Sequence, residues 1–249
     1  MPGIAVAVAA DREPEGDPFD HWIPIENPTS SFADKIAPLA QTPFQETVFL
    51  DTDTYLCEPV PELFELLGRC DIAMAHAPMR HTATVDVPAS FPECNSGVIV
   101  YNANERTKAM FAAWEAFYAG QLSATGQTDD QPALRRALWN SEARLAVLPP
   151  EYNFRFVLPA FAGRGTVKIL HGRHPDMAAL AAAINASGSP RVFLPQLRDA
   201  GPRCFRILSA PGRAAGFWFG LDAVCANWVG KAWDGIQARC SRPDSPDGN

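Results

Sequence analysis

Long apolar runs are missing from this sequence: none approaches the roughly 20 residues that a spanning helix needs, so no transmembrane segment is expected. An excess of positive charge is missing too. Lysine and arginine total 21 against 28 aspartate and glutamate, and the net charge of -7 opposes the broad basic surface that non-specific nucleic-acid binding requires. The six cysteines, Cys57, Cys70, Cys94, Cys204, Cys225 and Cys240, form no C-x-x-C pair, which argues against a zinc knuckle or a dithiol redox motif. Reduced thiols in a cytoplasmic protein are the expectation, although the even number leaves disulfides open. Ile4 to Ala10 has neither the basic lead nor the long apolar core of a secretory signal. No internal repeat is visible.

What is present fits one α/β domain. The chain has 249 residues, 47% hydrophobic and 20% charged, enough to bury a sizeable core without dividing in two. Ile4–Val8 and Trp22–Ile25 read as strands, with a Pro-, Gly- and Asp-rich loop between them. Val48–Leu50 is a compact apolar run that stops at Asp51, as expected of a central strand in a mostly parallel sheet covered on both faces. Pro59–Leu67 reads as a crossover helix, Asp71–His76 and Gly97–Tyr101 as strands, and His81–Pro92 as a polar loop. From Glu105, the residues Met110, Phe111, Trp114, Phe117 and Tyr118 form an apolar helical stripe, expected to be core, that ends at Gly120. Asp129–Asn140 reads as another helix, with Leu145–Leu148 and Thr166–Leu170 as strands after it. Such alternation argues for a layered α/β sheet. The core is expected to occupy residues 1–173 and a mainly helical extension 174–240, where Leu221, Val224, Trp228 and Ile236 recur at helical spacing; 241–249 reads as a disordered tail.

The chemistry concentrates where the Val48–Leu50 strand ends. Asp51-Thr52-Asp53 can place two carboxylates at the mouth of the sheet, as a divalent ion bound to a diphosphate would need. Taken alone, the triplet is equally a turn whose side chains cap backbone N–H groups. His171 follows another apolar strand, and an imidazole beside carboxylate oxygens suits Mn²⁺ better than Ca²⁺. His21, His76, His81 and His174 have less support as ligands.

In order along the chain, Phe32-Ala-Asp-Lys-Ile36, Thr47-Val-Phe-Leu-Asp-Thr-Asp-Thr54, Phe91-Pro-Glu-Cys-Asn-Ser-Gly-Val98, Asp130-Gln-Pro-Ala133, Leu148-Pro-Pro-Glu-Tyr-Asn153 and Lys168-Ile-Leu-His-Gly-Arg173 resemble the glycogenin-like and bacterial glycosyltransferases of the GT-A fold, the nucleotide-diphospho-sugar transferase superfamily. The resemblance implies a GT-A-like, mostly parallel mixed sheet flanked by helices. It also implies transfer of a hexose from a nucleotide diphosphate sugar, a UDP-sugar for preference, to a hydroxyl acceptor. Asp51, Asp53 and His171 would hold Mn²⁺, with Mg²⁺ as the alternative. Asp130 and Gln131 match the acid–glutamine pair beside donor sugar and acceptor; their bland reading is electrostatic support of a helix start. Asn95, Ser96 and Gly97 match a polar turn that reaches the donor sugar, with glycine for close backbone approach; an Asx-turn is the alternative. Lys35, Lys168 and Arg173 are the cations expected near the diphosphate, and Tyr152 and Asn153 would shape the acceptor side.

Two departures matter. The chain opens at what resembles the family's second strand, so the first strand and helix, part of the nucleoside pocket, are expected to be lacking. His171-Gly-Arg173 also lacks the longer signature of some retaining relatives, which leaves stereochemistry open. A non-catalytic relative acting as an interaction protein is therefore the competing expectation, and a metal-dependent phosphate hydrolase a third. A homo-oligomer is compatible with either.

Overall fold

The structure, a computed structural model, describes residues 3–16, 18–77, 84, 86–156, 160–163, 165–186, 191–195 and 205–209. In chain order the elements are β1 (Ala7–Ala10), β2 (His21–Pro24), α1 (Ala33–Leu39), β3 (Glu46–Leu50), β4 (Thr54–Leu56), α2 (Glu62–Leu66), β5 (Ile72–His76), β6 (Cys94–Asn102), α3 (Glu105–Thr125), α4 (Gln131–Trp139), β7 (Leu145–Leu148), a 3-10 turn (Pro150–Tyr152), β8 (Phe154–Arg155), β9 (Ala160–Gly163), β10 (Ile169–His171), α5 (Met177–Asn185), β11 (Arg191–Pro195) and β12 (Phe205–Ser209).

A four-stranded sheet in the order β3-β6-β5-β7 forms the centre. Its two inner strands, β6 and β5, are covered on both faces, and their side chains divide with the period of two that a pleated strand imposes. Ile72, Met74, Ile99 and Tyr101 pack with Ile36 and Leu39 of α1, Met110, Phe111, Trp114 and Tyr118 of α3, and Leu134, Ala137 and Leu138 of α4. Ala73, Ala75, Val98 and Val100 face the other way, against Leu63 of α2, Val60, Leu67, Leu148 and Ile169. Coverage on both sides is why these strands read as near-continuous apolar runs. A third cluster, Phe154, Phe156, Val167 and Leu170, is closed by Ala181 and Ile184 of α5.

The expected α/β class with flanking helices is observed, but strand direction and position differ from the reading above. Within the central sheet β3 and β6 are antiparallel, β5 and β6 are antiparallel, and only β5 and β7 run parallel. β3 stands at the edge of this sheet, not at its centre. The apolar run Val48–Leu50 reported cover on two faces, since Val48 and Phe49 enter opposite clusters; it carried no information about hydrogen-bonded neighbours. Around the site a smaller sheet, β4-β10-β8, has β10 antiparallel to β4 and parallel to β8.

Boundaries moved where capping decided them. α3 continues through Gly120 to Thr125 and stops at Gly126, whose φ of 68° supplies the left-handed C-cap. Its start is a capping box: Asn104 accepts from Arg106 and Thr107 N–H, and the Thr107 hydroxyl accepts from Asn104 N–H. In the region read as a helical extension, the described elements are α5 and the strands β11 and β12, which pair antiparallel with each other. The Leu221–Ile236 stripe, the 241–249 tail and His81 lie outside the described residues. No helix among the described residues is long and apolar enough to cross a membrane.

Candidate active site

The turn after β3 is held from three sides. Asp51 N–H donates to the Gly97 carbonyl on β6 (2.9 Å), the Thr54 N–H and hydroxyl both donate to the Asp51 carbonyl, and Gly172 N–H donates to the Asp53 carbonyl (2.9 Å). Pairing of β10 with β4 sets His171 opposite Thr54. His171 Nε2 thereby comes to 3.3 Å from Asp53 Oδ1 and 3.9 Å from Asp51 Oδ2. One ligand atom from each of the three residues lies within 4.8 Å of the others. Atoms bound about 2.1 Å from one ion sit roughly 3–4 Å apart, so two carboxylates and an imidazole in this arrangement fit a divalent transition ion.

A second cluster adjoins the first. From α1, Lys35 Nζ donates to Ser96 Oγ (2.8 Å) and stands 3.2 Å from Asp130 Oδ2 and 3.5 Å from Asp51 Oδ2. Ser96 Oγ donates to Asp130 Oδ2 (3.0 Å). Asp130 occupies the N-cap position of α4 without a side-chain capping bond, so its carboxylate serves this cluster and not the helix end. Asn95 Nδ2 donates to Gln131 Oε1 (3.2 Å), while Asn95 Oδ1 accepts from Gly97 N–H (3.1 Å) and from Asn153 Nδ2 (2.9 Å). The Asx-turn and the polar constellation therefore coexist.

Burial pushes the Asp51 carboxyl above the ordinary range against the opposing pull of Lys35; the neighbouring Asp53 and Asp130 charges push the same way as burial. Burial also lowers the His171 imidazole, to about 4, and the Arg155 charge acts in the same sense. The ring is thus neutral at pH 7, the form that ligates a metal.

Lys35, Asp51, Asp53, Asn95, Ser96, Asp130, Gln131, His171 and Arg173 all line one cleft of about 1290 Å³, whose other wall comes from Ile4 to Ala9 and from β3. Two of the expected residues, Lys168 and Gly97, stand outside the lining of this cleft. Lys168 does not line this cleft; its ammonium pairs with Glu58 and its N–H donates to the Glu151 carbonyl. Gly97 does allow a close approach, but the group that uses it is the His171 imidazole, which occupies the space where a Cβ would be. Tyr152 is turned to Glu62 of α2 (2.8 Å), and His174 engages Asp176 beside a smaller hollow of about 500 Å³ that also borders Asp53 and Arg173.

The sequence reading missed Arg155. β8 sets it opposite His171, it lines the cleft, and its charge acts on Asp51 and Asp53. Among the described residues its buried Nε has no hydrogen-bond partner, and burial holds the guanidinium below its ordinary value. The signal was its period-two spacing from Asn153 in a two-residue strand, too short to recognise without the pairing.

Comparison with known proteins gives the family. Residues 45–171, just over half of the chain, match the nucleotide-diphospho-sugar transferase family. No curated protein matches. Among solved structures, the glycosyltransferase GlyE of Streptococcus pneumoniae TIGR4 aligns at 17% identity and a TM-score of 0.39, over 56% of this chain and 37% of that one. The galactosyltransferase LgtC, crystallised with donor and acceptor sugar analogs, aligns at 13% identity and a TM-score of 0.44, over 66% and 67%. Mouse xyloside xylosyltransferase 1 aligns at 20% and 0.39, over 57% and 63%. The chain thus spans about a third of the length of GlyE and about two thirds of the other two. The matched segment carries Asp51, Asp53, Asn95, Ser96, Asp130, Gln131 and His171, and on it the chain belongs to the nucleotide-diphospho-sugar transferase family.

Proposed function

We propose that the chain transfers a hexose from a nucleotide diphosphate sugar, a UDP-sugar for preference, to a hydroxyl acceptor, with a divalent metal held by Asp51, Asp53 and His171. The observation that carries this reading is the convergence of two carboxylates from one turn and a neutral imidazole from a distant strand end at one cleft. Mn²⁺ is the ion that this mixed oxygen and nitrogen set suits best, with Mg²⁺ as the alternative. A bound ion would supply Lewis-acid neutralisation of the charge that grows on the diphosphate as its bond to the sugar breaks.

The chain's own residues divide the remaining work. Lys35 and Arg155 contribute positive charge beside the acid pair, and Arg173 adds a third cation at the cleft wall. Asp130 is positioned to accept a hydrogen bond from a sugar or acceptor hydroxyl, and Gln131, tied to Asn95, orients beside it. Asn95 and Ser96 complete the polar wall on the donor side.

Calorimetry of UDP and GDP binding with and without Mn²⁺, on wild type and Asp51→Ala checked for folding, tests the proposal. Metal-dependent binding that the folded variant loses supports it and names the nucleotide. A folded wild type that binds neither nucleotide with Mn²⁺ or Mg²⁺ overturns it in favour of a non-catalytic relative.

A further inference from the structure

One residue beside the three acid and imidazole groups has a geometry that dictates how the imidazole is used. Asn153 sits 4% exposed between Asn95, 6% exposed, and His171, 3% exposed, so bulk water does not compete for their hydrogen bonds. The direction of each bond follows from its neighbour. A backbone N–H only donates, so the atom that Gly97 N–H meets at 3.1 Å is the Asn95 carbonyl oxygen. The Asn95 amide nitrogen is thereby turned to Gln131 Oε1, an acceptor, at 3.2 Å. The same Asn95 oxygen is 2.9 Å from the Asn153 side chain, which must present its amide nitrogen there. That leaves the Asn153 carbonyl oxygen facing His171 Nδ1 at 2.7 Å. The competing acceptor is Asp53 Oδ1, which lies farther off, 3.3 Å from Nε2, so the single proton of a neutral ring belongs on Nδ1, in the shorter contact.

We infer that Asn153 is a positioning residue: it fixes His171 as the Nδ1-protonated tautomer and turns the Nε2 lone pair toward Asp51 and Asp53. The consequence for metal binding rests on the proposed ion site. In a neutral imidazole one nitrogen donates and the other accepts, so the bond to Asn153 decides which nitrogen is left as the ligand. The ring cannot turn away to escape the choice, because it lies directly against the Cα of Gly97. Rotating it by half a turn would set a carbon against the Asn153 oxygen and another against the two carboxylates. The chain from Gln131 through Asn95 and Asn153 to His171 thus ties a residue of the sugar side to the ligating atom of the ion side.

The test reads the tautomer directly in metal-free protein. With ¹⁵N-labelled histidine and long-range proton–nitrogen correlation at pH 7.5, the His171 pattern is picked out among five histidines by its loss in His171→Gln. Wild type is expected to show a protonated Nδ1 and an unprotonated Nε2. In Asn153→Leu, which keeps the bulk and removes the acceptor, that pattern is expected to be averaged or reversed, with Mn²⁺ affinity lower by about 10–100-fold. A proton on Nε2 in wild type overturns the inference whether or not any variant folds. So does an Asn153→Leu protein that keeps both the wild-type tautomer and the wild-type Mn²⁺ affinity. A wild type with the expected tautomer that binds no Mn²⁺ upholds the positioning role and overturns the metal reading instead.

Discussion

Gly97 carries no side chain because the imidazole of His171 already fills the place of one. Gly97→Ala must therefore displace the ring, and overpacking of this kind costs about 1–3 kcal/mol. The cost belongs to the pair. In a His171→Ala background the same substitution is expected to cost less by about 1 kcal/mol or more, a coupling read from urea denaturation of the four proteins of the cycle. Equal costs in the two backgrounds would show that the ring yields freely. At this scale the sequence was most informative where a residue type carries its chemistry with it: two acids ending a strand, a histidine ending another, and an acid–glutamine pair opening a helix. It was least informative where a side chain's partner decides its use. Nothing in the spacing of Lys168 says that Glu58 will hold it, and nothing around Arg155 announces that its two-residue strand lies opposite His171.

Elements were legible in kind and less so in extent. The α3 stripe of Met110, Phe111, Trp114 and Tyr118 is the core face that its spacing promised, yet the helix runs past the first glycine to the second. Gly120 is an interior position where an added Cβ meets nothing within 4 Å, whereas Gly126 has a φ of 68° that L side chains rarely adopt. The two glycines should respond with opposite signs. Gly120→Ala is expected to stabilise by about 0.5–1 kcal/mol and Gly126→Ala to destabilise by about 1–2 kcal/mol, both read from the urea midpoint. A tie between elements is testable by pH. Asp71, just before β5, accepts from Arg144 N–H (2.8 Å) and Nε (2.9 Å) ahead of β7 and from Asn104 Nδ2 (3.0 Å) at the start of α3. The Arg144 side chain, with its N–H and Asn104, holds the Asp71 carboxyl well below the usual range, with desolvation opposing. A folded value below the unfolded one means that the unfolded chain binds the extra proton. Asp71's contribution is therefore full above about pH 4 and falls away as the pH drops below that. Asp71→Asn is expected to lose about 2–4 kcal/mol at pH 7 and about 1 kcal/mol less than that near pH 3, so the gap between the two denaturation curves should narrow as acid is added. A gap that is constant with pH would assign the effect to shape, not charge.

Over the whole molecule, the distribution of hydrophobic runs gave the class of fold and left the direction of its strands undetermined. Packing against both faces makes a strand read as an apolar run whichever way its neighbours run, so the edge strand β3 reads like the interior strands β5 and β6 although their pairings differ. The site, by contrast, is assembled from points as distant as Lys35 and His171, and what brings them together is also what should respond to ligand. A metal and nucleotide that bind only the folded chain stabilise all of it by mass action, about 2.7 kcal/mol when free ligand stands at 100 times its dissociation constant. For a domain of this length each kcal/mol moves the melting temperature by about 2–4 °C, so saturating Mn²⁺ and UDP together are expected to raise Tm by about 5–10 °C. Chelation should remove the rise, and Asp53→Asn should abolish it while leaving the metal-free Tm near that of wild type, because Asp53 is a partly exposed turn residue. Differential scanning fluorimetry across these conditions measures each of these shifts. A rise with UDP that survives chelation would place the nucleotide in the cleft without the ion, and the positive charge at the diphosphate would then have to come from Lys35, Arg155 and Arg173.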